Sequence, residues 1–191
     1  MNHPTRETYL QAATVHLAPL FTAQGFPLPA VRASVGIPAG GKGGKLKRIG
    51  ECWDKRASGD GTTEIFVCPS QSDPVQVLAI LLHELIHAAV GLECGHKGPF
   101  KRVAIALGLE GKMTSTIPGA QLACDLATLA DTLGAYPHAA LNTALSGRKK
   151  QGTRMIKLTC DDCGWSCRTA QKNVDAGCPT CHCGGEISPA E

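Results

Sequence analysis

One apolar helix is encoded by DPVQVLAILLHELIHAAVG, residues 73–91. Asp73 can cap its first turn, Pro74 suits the first helical position, and Gly91 ends the run. Between these ends, apolar residues occupy almost every face, which indicates a helix that is buried in the core of a domain. We therefore expect the rest of the domain to pack around this helix.

Three polar residues interrupt the apolar run: His83, Glu84 and His87. Such groups are costly inside a buried helix unless they have partners. Positions i and i+4 share one helical face, so both imidazoles can bind one metal ion. Glu84 lies beside them, where a carboxylate can accept a proton from water without being a ligand. This is the H-E-x-x-H arrangement of zinc peptidases, and it predicts a catalytic Zn²⁺.

A catalytic zinc usually has a third protein ligand and one open position for water. Two residues beyond the helix are candidates for this ligand. His96 stands nine residues after His87, in a loop that can fold back onto the metal. Glu93 occupies the position of the third histidine in the metzincin pattern, which this chain therefore does not follow. We expect His96 to be the ligand, with Glu93 as the alternative.

Short segments of both secondary-structure types surround the apolar helix. Apolar residues recur with a helical period at 5–24, and two further helices are expected at 99–107 and 120–133. Segments typical of β-strands occur at 31–35, 49–53 and 62–68. The sequence therefore predicts an α+β fold in which a small sheet packs on helices. We expect Thr63–Val67 to form the sheet edge beside the active-site cleft, where an extended peptide can pair with it.

Ten cysteines occur in the chain, and six of them lie between residues 160 and 183. No export signal is visible, so this clustering favours metal binding over disulfides. The spacing C-x2-C-x14-C-x2-C predicts a four-thiolate structural zinc site in a zinc ribbon, with ligands Cys160, Cys163, Cys178 and Cys181. Cys183 forms a competing pair with Cys181 and is the alternative to Cys178. We expect ordinary thiols at Cys52, Cys68, Cys94, Cys124 and Cys167.

The formal net charge of +3 over 191 residues is too small by itself to indicate a nucleic-acid partner. Basic residues are nevertheless concentrated in two stretches, 40–56 and 148–172, which carry local charges of +4 and +5. Two such patches are typical of contact with a nucleic-acid backbone, and a solvated surface is the alternative for each. The predicted DNA contacts are Arg148, Lys149, Lys150, Arg154 and Lys157.

Several motifs together resemble the SprT-like (Spartan-type) zinc metallopeptidase family. They are HELIH at 83–87, HKGPF at 96–100, ALG at 106–108, EIFVCP at 64–69 and GECW at 50–53. The resemblance to the peptidase domain covers roughly residues 5–110, and the cysteine-rich tail is similar to the zinc ribbon of many SprT proteins. This compact, cysteine-bearing chain is most similar to actinobacterial or phage members of the family. The resemblance implies a zincin-like domain with ligands His83, His87 and His96 and general base Glu84. The family's usual His-Gly is His96-Lys97-Gly98 here.

These features predict three parts: a metallopeptidase domain over 1–141, a basic linker over 142–157 and a zinc ribbon over 158–191. The predicted cofactors are one catalytic and one structural Zn²⁺. The expected function is a DNA-associated endopeptidase that cleaves proteins on or near DNA by Glu-assisted attack of zinc-bound water.

Two other functions are compatible with the same motifs. One is a non-enzymatic, zinc-stabilised nucleic-acid-binding or regulatory module, and the other is hydrolysis of a different substrate such as a cell-wall peptide. The longest apolar run is far shorter than the ~20 residues that span a bilayer, so we expect no membrane partner. The expected location is the cytoplasm, or the host cytoplasm for a phage protein.

Overall fold

The computed structural model describes residues 2–39, 48–142, 145 and 155–189. The chain divides into two compact units, Met1–Leu145 and Ser146–Glu191. This division falls within the predicted linker, most of which lies outside the described residues. Four of the predicted DNA contacts also lie outside them, namely Arg148, Lys149, Lys150 and Arg154, as does the glycine-rich loop at 40–47.

Four α-helices build the larger unit. They are α1 (Arg6–Ala23), α2 (Pro74–Val90), α3 (Pro99–Ala106) and α4 (Ala120–Leu133). Helix α2 begins and ends as the sequence predicts, because the Asp73 carboxylate accepts the Gln76 N–H at 2.7 Å and Gly91 has a φ of 89°. Five of its leucine and isoleucine side chains are fully buried: Leu78, Leu81, Leu82, Leu85 and Ile86. No described helix is long and apolar enough to cross a membrane.

A three-stranded sheet packs on these helices, which confirms the α+β class. Its strands are β1 (Val31–Val35), β2 (Gly50–Trp53) and β3 (Thr63–Val67). The order is β1-β3-β2, with β1 parallel and β2 antiparallel to β3. The prediction that Thr63–Val67 forms the sheet edge is therefore wrong. Strand β3 has a neighbour on each side, and within the described ranges β2 is the edge strand that packs against α2.

A β-hairpin joins α3 to α4. Its strands are β4 (Leu109–Lys112) and β5 (Ser115–Pro118), which pair antiparallel. Gly108, with a φ of 87°, lets the chain turn away from the end of α3. The Gly119 N–H donates a hydrogen bond to the Gly108 carbonyl at 2.8 Å. This bond closes the base of the hairpin, which packs against α2 and α4.

One buried arginine connects three distant segments of the larger unit. Arg6 is 5% exposed and donates hydrogen bonds to four backbone carbonyls, those of Pro69, Pro137, His138 and Ala139. Its guanidinium also lies over the Tyr136 ring at 5.1 Å, and that ring packs edge-on against Tyr9. The start of α1 is thereby fastened to the segment before α2 and to the segment after α4. Tyr136 is buried in these contacts.

The described part of the smaller unit, residues 155–189, consists of a three-stranded antiparallel sheet and one short helix. It contains β6 (Ile156–Cys160), β7 (Ser166–Thr169), α5 (Gln171–Asp175) and β8 (Ile187–Pro189), with the strand order β7-β6-β8. Its buried core consists of Leu158, Cys160, Cys181 and Ile187. So small a core supplies little stability without a metal or another cross-link.

Replacement of Arg6 tests its structural role. We expect Arg6→Ala to lower the free energy of unfolding of the larger unit by about 3 kcal/mol, because four partly buried hydrogen bonds to backbone carbonyls are lost. Urea unfolding followed by Trp53 fluorescence, in a Trp165→Phe background, measures this change. The exposed Lys101→Ala is the control. Equal stabilities of the two variants would contradict the role of Arg6.

Candidate metal centres

Three histidines converge at the carboxyl-terminal half of α2. His83 and His87 lie one turn apart on the same face of this helix, with ring centroids 5.2 Å apart. After Gly91 the chain makes a 3₁₀ turn over Leu92–Cys94 and returns His96 to that face. The His96 Nε2 atom lies 3.3 Å from the Nε2 of His83 and 3.2 Å from that of His87.

This nitrogen spacing fits a tetrahedral metal ion. Zn–N bonds of about 2.05 Å at tetrahedral angles place neighbouring nitrogens about 3.3 Å apart. All three ligand atoms lie within 4.8 Å of one another. The structure thus brings together the three histidines that the sequence singled out, while Glu93 is not part of this group and has its carboxylate against Gly91.

Burial keeps the imidazoles in the form that binds metal. Desolvation, with a smaller contribution from the neighbouring imidazoles, lowers the pKa of His83 to about 4 and that of His87 to about 3. Desolvation also lowers the pKa of His96. Neutral imidazoles carry a nitrogen lone pair, which is the form that coordinates Zn²⁺. The three rings are therefore deprotonated and ready to bind metal at neutral pH.

A buried phenylalanine contacts all three histidine rings. Phe100 lies in the first turn of α3 and is fully buried. Its ring centroid is 4.9 Å from that of His83, 4.4 Å from that of His87 and 5.0 Å from that of His96. In the sequence, Phe100 stands out only as part of the HKGPF motif at 96–100. An aromatic residue four positions after the third histidine is the signal that indicates this supporting contact.

Glu84 lies next to the histidines and against the edge strand. The side chain is 8% exposed, and desolvation, reinforced by the charge of Glu51, raises the pKa of its carboxyl to about 8. A group that titrates near neutral pH can both accept and return a proton there. The approach of β2 to this carboxyl depends on Gly50, since a Cβ at that position would lie 2.6 Å from Glu84 Oε1 and 2.6 Å from Ile80 Cγ2. This role of Gly50 is not among the sequence predictions.

Four thiols form a second group in the smaller unit. The Sγ atoms of Cys160 and Cys183 are 3.6 Å apart, and those of Cys163 and Cys181 are 3.5 Å apart. A tetrahedral site with Zn–S bonds of about 2.3 Å needs sulfur separations of about 3.8 Å. All four sulfurs lie within 4.8 Å of one another. Donor type and spacing are compatible with a closed, four-thiolate metal site.

The fourth cysteine of this group differs from the one preferred on the sequence, and the assignment of Cys178 is corrected. Cys178 is exposed and is not in the thiol group, whose fourth member is the alternative residue, Cys183. The backbone explains this choice. The Asp161 N–H donates to the Glu186 carbonyl, and Gly184 closes a tight turn on Cys181, so the Cys183 segment is held over Cys160. Gly185 permits this approach, because a Cβ there would lie 2.8 Å from Cys160 Sγ.

Local hydrogen bonds favour the thiolate at one of these cysteines. The backbone N–H groups of Cys163 and Asp162 point at the Cys160 sulfur and lower the pKa of its thiol to about 7. Because the thiolate is the metal-binding form of cysteine, Cys160 is prepared to accept a metal ion near neutral pH.

Two cations lie side by side on the sheet of the smaller unit. Lys157 of β6 is directly opposite Arg168 of β7, and both side chains are exposed. Neither forms an ion pair with any residue in the described ranges. Like charges at opposed positions destabilise a strand pair unless an anion is bound. Lys157 is the one predicted DNA contact within the described residues, and Trp165 nearby in sequence is 44% exposed.

The chain was compared with models of protein families, with curated proteins and with solved structures, and none of the three comparisons found a match.

Gly50→Ala tests the contact between β2 and Glu84. We expect this substitution to lower the free energy of unfolding by about 1–3 kcal/mol, because the added methyl group overlaps Glu84 and Ile80. Gly59→Ala is the matched control, since a Cβ at Gly59 meets no atom within 4 Å. Chemical denaturation of both variants gives the comparison. If Gly50→Ala proves as stable as Gly59→Ala, the close approach is wrong.

Cys183→Ser and Cys178→Ser distinguish the two possible thiol sets. We expect Cys183→Ser to lose the zinc of the smaller unit and, with it, the amide protection of β6, whereas Cys178→Ser retains both. Metal analysis of the purified chain and hydrogen exchange of the Leu158 amide measure these losses. The opposite pattern would assign the site to Cys178.

Proposed function

We propose that this chain is a zinc-dependent endopeptidase of the SprT-like type that acts on proteins on or near DNA. One observation carries this proposal: three neutral imidazole nitrogens, spaced for one tetrahedral ion, lie beside a buried carboxyl and the outer edge of β2, with which no described strand pairs. A structural metal site has no use for a proton acceptor such as Glu84 at that position. This argues against the alternative, a non-enzymatic nucleic-acid-binding or regulatory module.

The residues that hold the metal are His83, His87 and His96. Zn²⁺ bound there would supply a Lewis acid that acidifies water and polarises a peptide carbonyl. Glu84 takes the proton from the attacking water on a carboxylate oxygen. It then returns this proton to the peptide nitrogen as the carbon–nitrogen bond breaks, so the carboxylate is regenerated. Burial raises the pKa of Glu84, which makes its carboxylate a stronger proton acceptor than an exposed one.

Strand β2 is suited to hold the substrate backbone. The Cys68 N–H donates to the Ile49 carbonyl, so these two residues form a hydrogen-bonded pair of the antiparallel ladder. Hydrogen-bonded and non-hydrogen-bonded pairs alternate along such a ladder, and the backbone N–H and C=O groups of Gly50 and Cys52 therefore point away from β3. Among the described residues no strand pairs with this edge. An extended peptide added here bonds through its main chain and passes next to Glu84, because Gly50 contacts that side chain. Main-chain recognition favours low sequence specificity.

The smaller unit is the part that we propose to contact DNA. Lys157 and Arg168 form an adjacent pair of cations with no anionic partner among the described residues, and a phosphate group supplies that partner. The basic residues of the predicted linker extend the same charge along the chain. Binding of this kind is electrostatic and decreases steeply with added salt.

A cleavage assay on a DNA-binding substrate protein tests the proposal. It compares the zinc-loaded chain with its Glu84→Gln variant, each in the presence and absence of single-stranded DNA. We expect Glu84→Gln to reduce the rate at least ~100-fold, because the amide cannot accept the proton. Glu93→Gln is the matched control and retains activity. We also expect DNA to stimulate cleavage at low salt and to lose this effect as salt is raised.

The outcomes of this experiment separate the candidate functions. Cleavage that needs Glu84 but is indifferent to DNA at any salt concentration leaves a peptidase and removes its DNA role. Cleavage at an unchanged rate by Glu84→Gln contradicts the mechanism. An intact substrate in every lane, with zinc and DNA still bound, favours the non-enzymatic module.

A further inference from the structure

The second nitrogen of His83 has a specific partner. Its Nδ1 lies 2.8 Å from the Oγ1 of Thr116, in strand β5 of the hairpin. Exposure alternates along this strand, so that Ser115 and Ile117 are exposed while Thr116 is partly buried. The threonine hydroxyl therefore faces α2, on the side of the ring opposite to the nitrogen that converges with His96.

The other helical ligand lacks such a partner. His87 Nδ1 is buried and has no hydrogen-bond partner among the described residues. Its ring instead packs on Phe100, at 4.4 Å between centroids and an interplanar angle of 32°. The two imidazoles of α2 are thus held differently, one by an apolar contact and one by a hydroxyl group.

We propose that Thr116 is a positioning residue that sets the tautomer and ring orientation of His83 for metal binding. This inference rests on the proposed metal centre at His83, His87 and His96. For Nε2 to present a lone pair, the proton of the neutral ring must sit on Nδ1. The Nδ1–H then donates to Thr116 Oγ1, which holds the ring with Nε2 directed at the metal. Outer hydrogen bonds of this kind raise the affinity of the ligand for its metal.

The hairpin is built to keep this hydroxyl in place. The Gly119 N–H bonds to the Gly108 carbonyl at its base, and within it Thr116 pairs with Gly111. Gly119 also starts helix α4, and the hairpin leaves α3 directly, so both of its ends continue into helices of the core. Thr116 therefore reaches His83 from a rigid element 33 residues away in sequence.

Zinc affinity of the full-length chain tests this role. Thr116→Val removes the hydroxyl with little change in shape, Thr116→Ser retains it, and Thr114→Val makes the same change at an exposed position of the hairpin turn. Competition with a chromophoric chelator, after the thiol site has been filled, reports the histidine site. We expect Thr116→Val to bind Zn²⁺ about 10-fold to 100-fold more weakly than the unsubstituted chain, and both other variants to bind nearly as tightly as it does.

A spectroscopic signature separates positioning from a general structural effect. In zinc-loaded protein labelled with ¹⁵N-histidine, we expect a protected Nδ1–H resonance from His83 in the unsubstituted chain and in Thr116→Ser. The resonance should lose its protection in Thr116→Val. Affinities that agree between Thr116→Val and Thr114→Val overturn the proposal. Absence of the protected resonance from the unsubstituted zinc-loaded chain also overturns it, even if Thr116→Val does not fold.

These results are distinguishable from failure of the proposed function. If Thr116→Val weakens zinc binding but the unsubstituted chain cleaves no protein, the role of Thr116 is supported and the proposed peptidase function is refuted. A chain that binds zinc through its thiols alone refutes the histidine metal centre, and the role of Thr116 with it.

Discussion

Helix α2 is buried along most of its length, yet its carboxyl-terminal half must accommodate two imidazoles and a carboxyl group. Because the apolar side chains around them are buried, these three polar groups are also removed from water, and this desolvation favours their uncharged forms. The imidazoles become harder to protonate, and the carboxyl becomes harder to ionise. A metal ion at the histidines would satisfy all three converging nitrogens at once, because each neutral imidazole can present one lone pair to it. The chemistry proposed for the site follows from this one constraint.

The surroundings of α2 maintain this arrangement. Gly50 lets the edge strand approach Glu84, and Phe100 supports the three histidine rings from one side. Arg6 fastens the segments before α2 and after α4 to the start of α1 through its carbonyl contacts. The elements around the site are therefore fixed both by contacts to the site residues and by contacts farther away, which is how a pre-organised site is usually built.

The features predicted from sequence are those that neighbouring residues determine. Capping residues and apolar periodicity locate α2, and the spacing of His83 and His87 places them on one face. Strand neighbours depend on distant segments, and for this reason β3 was wrongly expected at the edge. The sequences of β4 and β5 are short and do not alternate clearly between apolar and polar residues, so Thr116 could not be connected to His83 from the sequence. The cysteine-rich tail offered two thiols for one position, and only the turn geometry at Gly184 and Gly185 favours Cys183.

The account depends most on a metal ion at the three histidines. Anomalous diffraction at the zinc edge from crystals of the zinc-loaded full-length chain tests this directly. We expect two peaks: one bonded to the Nε2 atoms of His83, His87 and His96 at about 2.0–2.1 Å, and one bonded to four sulfurs at about 2.3 Å. A single peak at the cysteines, with the histidine nitrogens bonded to no metal in zinc-saturated crystals, would contradict the account.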